Sequence, residues 1–465
     1  MSGELRGRAA RFPTDRSASM ILRSLRLRSF RAHAETSVEF APKVNLLYGP
    51  NGAGKTNVLE AVHYLCLTKS FTASTDRYAV REGAPYFEIE GTVEGVREKP
   101  VDARIVYVPS EGKKVFINGA PLDRLTEIVG MLPIVVFSPE DYDLTAGGPS
   151  ERRRFVNNIL SQARPVYMDD LLKYRRARKQ RNEVLRQYKS RRESPPSSVL
   201  KPWTEEIVGI GSRVIQQRHD FLLTFSGYLT DAYRRIEAVA EKPSIEYDTI
   251  ADVEDIREDA GGTAPEQGEA DQGAPQDQPE TAPASSEAIA DAFRAVLDRK
   301  RESEERRGTT LAGPQRDELV FRLDDLEVRR YGSQGQHRTF GMALKLAQFF
   351  YLRDRADTEP LLLLDDAFGK LDRRRTEVFL QLLDSDDVGQ SLITATQHRS
   401  FAETLDFGAD RHRAFRIDRD DRGASIRRAD GGAEAERDRS DAASESTAAS
   451  AEEAASGDLD VARNS

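Results

Sequence analysis

Val44-Asn45-Leu46-Leu47-Tyr48-Gly49-Pro50-Asn51-Gly52-Ala53-Gly54-Lys55-Thr56 decides how this chain is read. The apolar run ending at Tyr48 predicts a buried strand, and Val58-Leu59-Glu60-Ala61-Val62-His63-Tyr64-Leu65 predicts a helix behind the loop. Gly49 to Thr56 fits G-x-x-x-x-G-K-[ST] in the strand, loop and helix setting that this motif requires. Gly49, Gly52 and Gly54 let the backbone curl its N–H groups around phosphate oxygens, with Pro50, Asn51 and Ala53 completing the cradle. Lys55 is expected to reach the outer phosphates, and the Thr56 hydroxyl to ligate Mg²⁺. Nothing in the loop chooses between adenine and guanine.

The matching half is Leu361-Leu362-Leu363-Leu364-Asp365-Asp366, an apolar strand delivering two acids at its C-terminal end, where ligands of open α/β sheets bind. Asp365 is expected to hold Mg²⁺ through water, and Asp366 to orient or deprotonate an attacking water. Ser333, Gln334, Gly335 and Gln336 open another predicted helix, a second helix N-terminus with a hydroxyl and backbone donors. Taken alone, that loop is a capped helix end.

Around these motifs the pattern is α/β. Short strands are expected near Phe87 to Val93, Ala103 to Val108 and Val115 to Ile117, the last closed by the turn pair Asn118-Gly119. A helical region from about residue 165 to 305 interrupts this body. The domain reading is therefore an extension over residues 1–19, a head over 20–164 and 306–418, an inserted helical domain over 165–305, and a tail over 419–465. Residues 252–287 within the insertion and the tail have the Pro/Gly/Ala/Ser-rich acidic composition of disordered chain.

The net charge of −9 on 465 residues conceals this division. Without 252–287 and 429–465, the remaining 392 residues carry about +8, so the folded body is basic. Glu151 to Arg192 alone holds 14 Lys/Arg against 4 acids, on what reads as a long amphipathic helix with a cationic polar face. Such a stripe suits nucleic-acid phosphates. No run of apolar residues is long enough for a membrane helix, and Cys66, the single cysteine, excludes an internal disulfide and a cysteine-clustered zinc site. The Arg-rich first nineteen residues lack the apolar core of a secretory signal, Met20 is an alternative start, and a cytoplasmic location is expected.

The glycine loop, Ser333 to Gln336, the Asp365-Asp366 strand and Gly369-Lys370-Leu371-Asp372 together resemble the P-loop ABC-type ATPase heads of the SMC and Rad50 group. Leu27 to Arg31, Phe137-Ser138-Pro139-Glu140-Asp141, Arg152-Arg153-Arg154-Phe155 and Gly313-Pro314-Gln315-Arg316-Asp317 narrow the resemblance to the RecF family of DNA repair proteins, over roughly Met20 to Asp418. The resemblance implies a head built from both chain ends with an inserted helical lever arm. It also implies ATP bound between two subunits, the loop of one facing Ser333 of the other in trans, with Asp372 in the interface. Phe137 to Asp141 would couple nucleotide to the arm, and Phe30 and Arg31 would approach the base or α-phosphate. Asp366, where transport ATPases carry Glu, implies a slow, DNA-stimulated ATPase that acts as a switch.

The function implied is an ATP-driven dimer that clamps double-stranded DNA near single-strand gaps and, with RecR and RecO, promotes RecA loading and SOS induction. A structural SMC or Rad50-like tether would need hundreds of heptad residues between Thr56 and Asp365, and for the Rad50 hook a cysteine pair. A transporter's nucleotide-binding subunit fits the helical insertion and the basic stripe poorly.

Overall fold

The computed structural model describes residues 19–96, 99–236, 241–250, 286–356, 358–368, 373–408 and 410–429. Residues 1–18, 251–285 and 430–465 lie outside them, as does Asp372, and with them most of the N-terminal extension, the acidic insert and the tail. Among the described residues no helix is long and apolar enough to cross a membrane.

Ile21–Phe30 (β1), His33–Glu39 (β2), Phe87–Glu94 (β4), Val101–Val108 (β5), Gly112–Ile117 (β6) and Ala120–Pro121 (β7) form one antiparallel sheet, in the order β2-β1-β4-β5-β6-β7. Its last hairpin turns at Asn118-Gly119, whose φ values of +51° and +80° are those a two-residue turn of this type requires. Val44–Tyr48 (β3), Ile134–Phe137 (β8), Leu361–Leu364 (β12), Ser391–Ala395 (β13), His412–Asp420 (β14) and Gly423–Arg428 (β15) form the second, in the order β15-β14-β3-β13-β12-β8. All its pairings are parallel except β14 with β15.

Lys55–Leu67 (α1) lies between the two sheets. Leu361 and Leu363 face the core that α1 shares with the antiparallel sheet, and Leu362 and Leu364 face the helices on the other side. Burial on both faces is why this strand reads as four consecutive leucines rather than as an alternation.

The outer helices are Pro149–Ala163 (α2), Pro165–Arg191 (α3), Ser197–Ile236 (α4), Ser286–Arg307 (α5), Gln334–Arg355 (α6) and Arg373–Asp384 (α7). The arm consists of α3, α4 and α5. Its base is not a separate domain, because Tyr167, Leu171, Phe221 and Phe225 belong to the same buried cluster as Val44, Leu46 and Leu362. Two buried ion pairs fix it there. Arg218 donates to Asp317 at 2.6 Å, to the Pro314 carbonyl at 2.7 Å and to Asn157 at 3.0 Å. Arg181 donates to Glu304 at 2.6 Å and to Thr310 at 2.9 Å.

Three expectations shift. Arg152 and Arg181, read as part of an exposed cationic face, are buried and paired, Arg152 with Glu318 at 2.5 Å. The region read as wholly helical contains Pro243–Asp248 (β9), which pairs with Glu318–Leu323 (β10), itself paired with Leu326–Glu327 (β11). The tail boundary at 419 is too early, since β14 runs to Asp420 and β15 completes a hairpin on it.

Asp317→Asn is expected to lower stability in chemical denaturation by about 3–5 kcal/mol, because it leaves the Arg218 guanidinium buried without its counter-charge. Replacing both by apolar residues should cost less than the single change. His63 supplies a pH test: burial depresses its pKa from 6.5 to about 4, although its Nδ1–H donates to the Lys69 carbonyl. The folded chain thus holds this ring neutral where the unfolded chain protonates it, so the stability it contributes is present above pH 6.5 and declines as pH falls towards 4. Between pH 7.5 and 5.5 the wild type should lose about 1 kcal/mol more than His63→Gln in urea titrations.

Candidate functional site

The glycine loop leaves the C-terminal end of β3 at the middle of the parallel sheet. Gly49 and Gly54 have φ of +148° and +108°, and a Cβ at Gly49 would lie 2.1 Å from the Ile417 carbonyl oxygen of β14. Only glycine fits there. Gly54 is braced from behind by His33, fully buried, whose Nε2–H donates to the Gly54 carbonyl at 3.1 Å and whose Nδ1 accepts from Thr36 at 2.9 Å. Burial lowers the His33 pKa, so the ring is neutral and this tautomer is the one the contacts demand.

Lys55 folds back over the loop, its Nζ donating to the carbonyls of Gly49 at 2.8 Å and Pro50 at 2.9 Å. Burial lowers its pKa, against the pull of Asp366 and Asp365. The Thr56 hydroxyl donates to Asp365 Oδ1 at 2.9 Å, a bond across 309 residues of chain that joins the two expected half-sites. Thr394, at the end region of β13, donates to the same oxygen at 2.8 Å and accepts from the Asp366 N–H at 2.9 Å. Burial pushes the Asp365 pKa up, the two hydroxyls pull it back, and Glu140 and Asp366 raise it. Asp366 is exposed, with φ of +47°, a left-handed conformation that costs a non-glycine residue roughly 1 kcal/mol or more. Its N–H bond to Thr394 helps hold it there.

Ser333, Gln334 and Gly335 are exposed, while Gln336 is half-buried. Ser333 caps α6: its Oγ accepts from the Gln336 N–H at 3.2 Å, and the Gln336 side chain accepts from the Ser333 N–H at 2.8 Å. Gln336 also donates to Glu241 at 2.8 Å. No described hydrogen bond joins these four residues to Gly49–Thr56, Asp365 or Asp366. The loop Phe137 to Asp141 does contact α6. Lys345 of α6 sits 2.8 Å from Asp141 and donates to the Val136 carbonyl of β8 at 2.8 Å. The loop expected to couple nucleotide to the arm is therefore tied to the helix that begins at Ser333.

Phe30, expected to approach the base or α-phosphate, is fully buried, edge-on to Tyr64 at 5.7 Å and Phe87 at 5.2 Å. Arg31 is held by Glu60 through Nε at 2.9 Å and Nη2 at 2.6 Å. His398 is half-buried with its ring 5.1 Å from Tyr48 and from Phe407, beside the start of the glycine loop. Thr394 and His33 escaped the sequence reading. The one available signal for Thr394 is a polar residue at the end of a buried strand.

A family model described as RecF/RecN/SMC N terminal domain matches residues 21–412. The chain is 66% identical over 398 residues to the DNA replication and repair protein RecF of Salinibacter ruber, covering 86% of this chain and 90% of that one. To the RecF of Chloroherpeton thalassium it is 39% identical over 384 residues, covering 83% and 97%. Among solved structures, it is similar to the recombination mediator protein RecF-ATPrS in the RecFOR pathway with a TM-score of 0.75 at 27% identity, covering 89% of this chain and 99% of that one. The RecF-ATP structure of the same pathway gives 0.74 at 26% identity, covering 90% and 100%. The α/β head assembled from both chain ends, with its inserted arm, thus has close counterparts in sequence and in structure, and the chain belongs to the RecF family.

Proposed function

We propose that this protein is an ATP-dependent DNA-binding switch of recombinational repair and replication. Two copies close over two ATP molecules, clamp double-stranded DNA near a single-strand gap and, with RecR and RecO, promote RecA loading and so SOS induction. The observation that carries this reading is the Thr56–Asp365 bond, which joins the two parts of one half-site, while Ser333, Gln334 and Gly335 stay exposed with no described hydrogen bond to it. A half-site of this kind is completed by the Ser333 end of a second copy, with Asp372 at the interface. The similar RecF-ATP structure and the basic folded body support the reading.

ATP phosphates would displace the Gly49 and Pro50 carbonyls from Lys55, whose ammonium then sits against the outer phosphates. The Thr56 hydroxyl and the Asp365 carboxylate are adjacent hard oxygen donors, which fits Mg²⁺. No cluster of three or more His, Cys, Asp or Glu is present among the described residues, so its other ligands would come from phosphate and water. Mg²⁺ bound there would neutralise charge developing on the phosphates. Asp366 accepts a proton from the attacking water as the water oxygen bonds the γ-phosphorus and ADP leaves. The short Asp side chain suits slow hydrolysis, stimulated by DNA.

Sedimentation of wild type, Lys55→Arg and Ser333→Arg, with and without Mg·ATP, tests the clamp. The wild type should shift to a dimer with ATP and retain duplex DNA in a salt-sensitive manner, and each variant should lose the shift. An ATP-indifferent monomer that ignores DNA would sink the proposal. Asp366→Asn separates binding from chemistry: the ATP-dependent dimer should persist while hydrolysis falls about 10²-fold or more, measured as phosphate release.

A further inference from the structure

Three adjoining clefts follow the seam between the arm and the head on which it is seated. The first, of 530 Å³, lies between α2, α3 and the loop after α1, and its cations are Lys69, Arg153, Arg154, Arg175, Arg178 and Arg218. The second, of 350 Å³, shares Arg153, Arg178 and Gln315 with the first and adds Arg316. The third, of 450 Å³, shares Arg316 with the second and adds Lys300 and Arg307 of α5. No aspartate or glutamate lines any of the three, in a chain with 78 acids against 69 Lys and Arg. That segregation is the unusual feature.

Among the described residues, most of these cations have no counter-ion. Arg218 is spent on Asp317, Arg154 pairs with Glu151 at 2.8 Å, and Arg153 donates to the Asp317 carbonyl. No carboxylate lies within 4.0 Å of Lys69, Arg175, Arg178, Lys300, Arg307 or Arg316 among the described residues. Lys69 is lowered in pKa by burial and then by the charges of Arg154 and Arg175. Mutual repulsion of this kind is relieved by a bound anion. Between the cations, the Asn182 amide N–H groups and the Thr309 hydroxyl are donors of the sort phosphate oxygens accept, while the Thr310 hydroxyl donates to Asn182 Oδ1 at 2.7 Å. Large apolar side chains gather in the first cleft, lined by Leu125, Val129, Met168 and Leu171, the second has none, and the third has Leu311 alone.

We infer that this trough seats the phosphodiester backbone of a single nucleic-acid strand, running along the arm from Lys69 past Arg178 and Arg316 to Arg307. Successive cations along a continuous, recessed path match a chain of regularly spaced phosphates, and a cleft at a helix-packing seam admits one strand rather than a stacked duplex. The apolar end accommodates an unstacked base. An acidic polypeptide is the competing occupant, but it would be expected to find apolar anchor sites along the whole length. The inference rests on the DNA-binding reading given above, and it separates the strand that enters the seam from the duplex held by the closed dimer.

The test uses the full chain with Arg175→Gln/Arg178→Gln, and independently Arg316→Gln, none of which removes a described ion pair. Retention of a blunt duplex and of the same duplex carrying an oligo-dT extension is measured over a salt series, alongside the melting temperature and the ATP-dependent sedimentation shift. The double variant should reduce the salt slope of log K for the extended duplex by about 1.4, the value for two single-strand phosphate contacts, and leave the blunt duplex unchanged. An unchanged slope on both probes overturns the trough. An equal reduction on both assigns it to duplex backbone and overturns the single-strand path. If the wild type retains neither probe, the DNA-binding reading itself has failed. Retention of polyglutamate by the wild type, lost in the double variant, would then assign the trough to an acidic polypeptide and overturn the inference.

Discussion

The parallel pairing of β3 with β13 on one side and β14 on the other is the constraint on which the molecule depends. Val44–Tyr48 comes from the first ninth of the chain, and its hydrogen-bonding neighbours, Ser391–Ala395 and His412–Arg416, from the last fifth. This register carries the glycine loop to the sheet edge where β12 ends in Asp365, and it presses Gly49 onto the Ile417 carbonyl. It also explains why β13 contributes Thr394 to the acids of its neighbour β12: parallel strands side by side end at the same level. Remove the pairing and the phosphate loop, the acids and the threonine belong to three unrelated segments.

What could be read in advance was local. The glycine loop announced itself because its spacing, the strand before it and the helix after it are contiguous, and Leu361 to Leu364 because a strand buried on both faces has to be apolar throughout. What escaped depends on contacts far apart in sequence. Thr394 gains its role from a strand 29 residues earlier, and His33 from a glycine 21 residues later. Phe30 stands next to Arg31 in a motif, but the direction of its side chain depends on what packs behind it, here Tyr64 and Phe87. β9 has its partner across the acidic insertion, so no window of sequence could reveal the pairing. Counting cations could not tell that Arg152 and Arg181 face inward, because Glu318 and Glu304 lie 166 and 123 residues away.

The arm is joined to the head by a continuous core and by the Arg218–Asp317 pair, with Tyr247 and Thr249 also donating to Asp317. Such a base transmits rotation rather than absorbing it. The loop after β8 meets α6 through Lys345 and Asp141, so packed helix and paired strand form a continuous connection between the level of the acids and the Ser333 end. The unpaired cations lie on this same seam, where the arm's motion would be felt.

The split sheet also sets the order in which the protein can come into being. When the ribosome has released Tyr48, β3 has no neighbour to bond, and the first of its two partners begins only at Ser391. At synthesis rates of about 5–20 residues per second, the apolar strand and the helix behind it wait roughly 20–70 s for completion. In that interval α3 and α4, adjacent in sequence and antiparallel, can form their hairpin. The arm thus matures before the head that it serves, and the nascent head, an exposed strand edge beside an apolar helix, is the stage at which this chain is most in need of a chaperone.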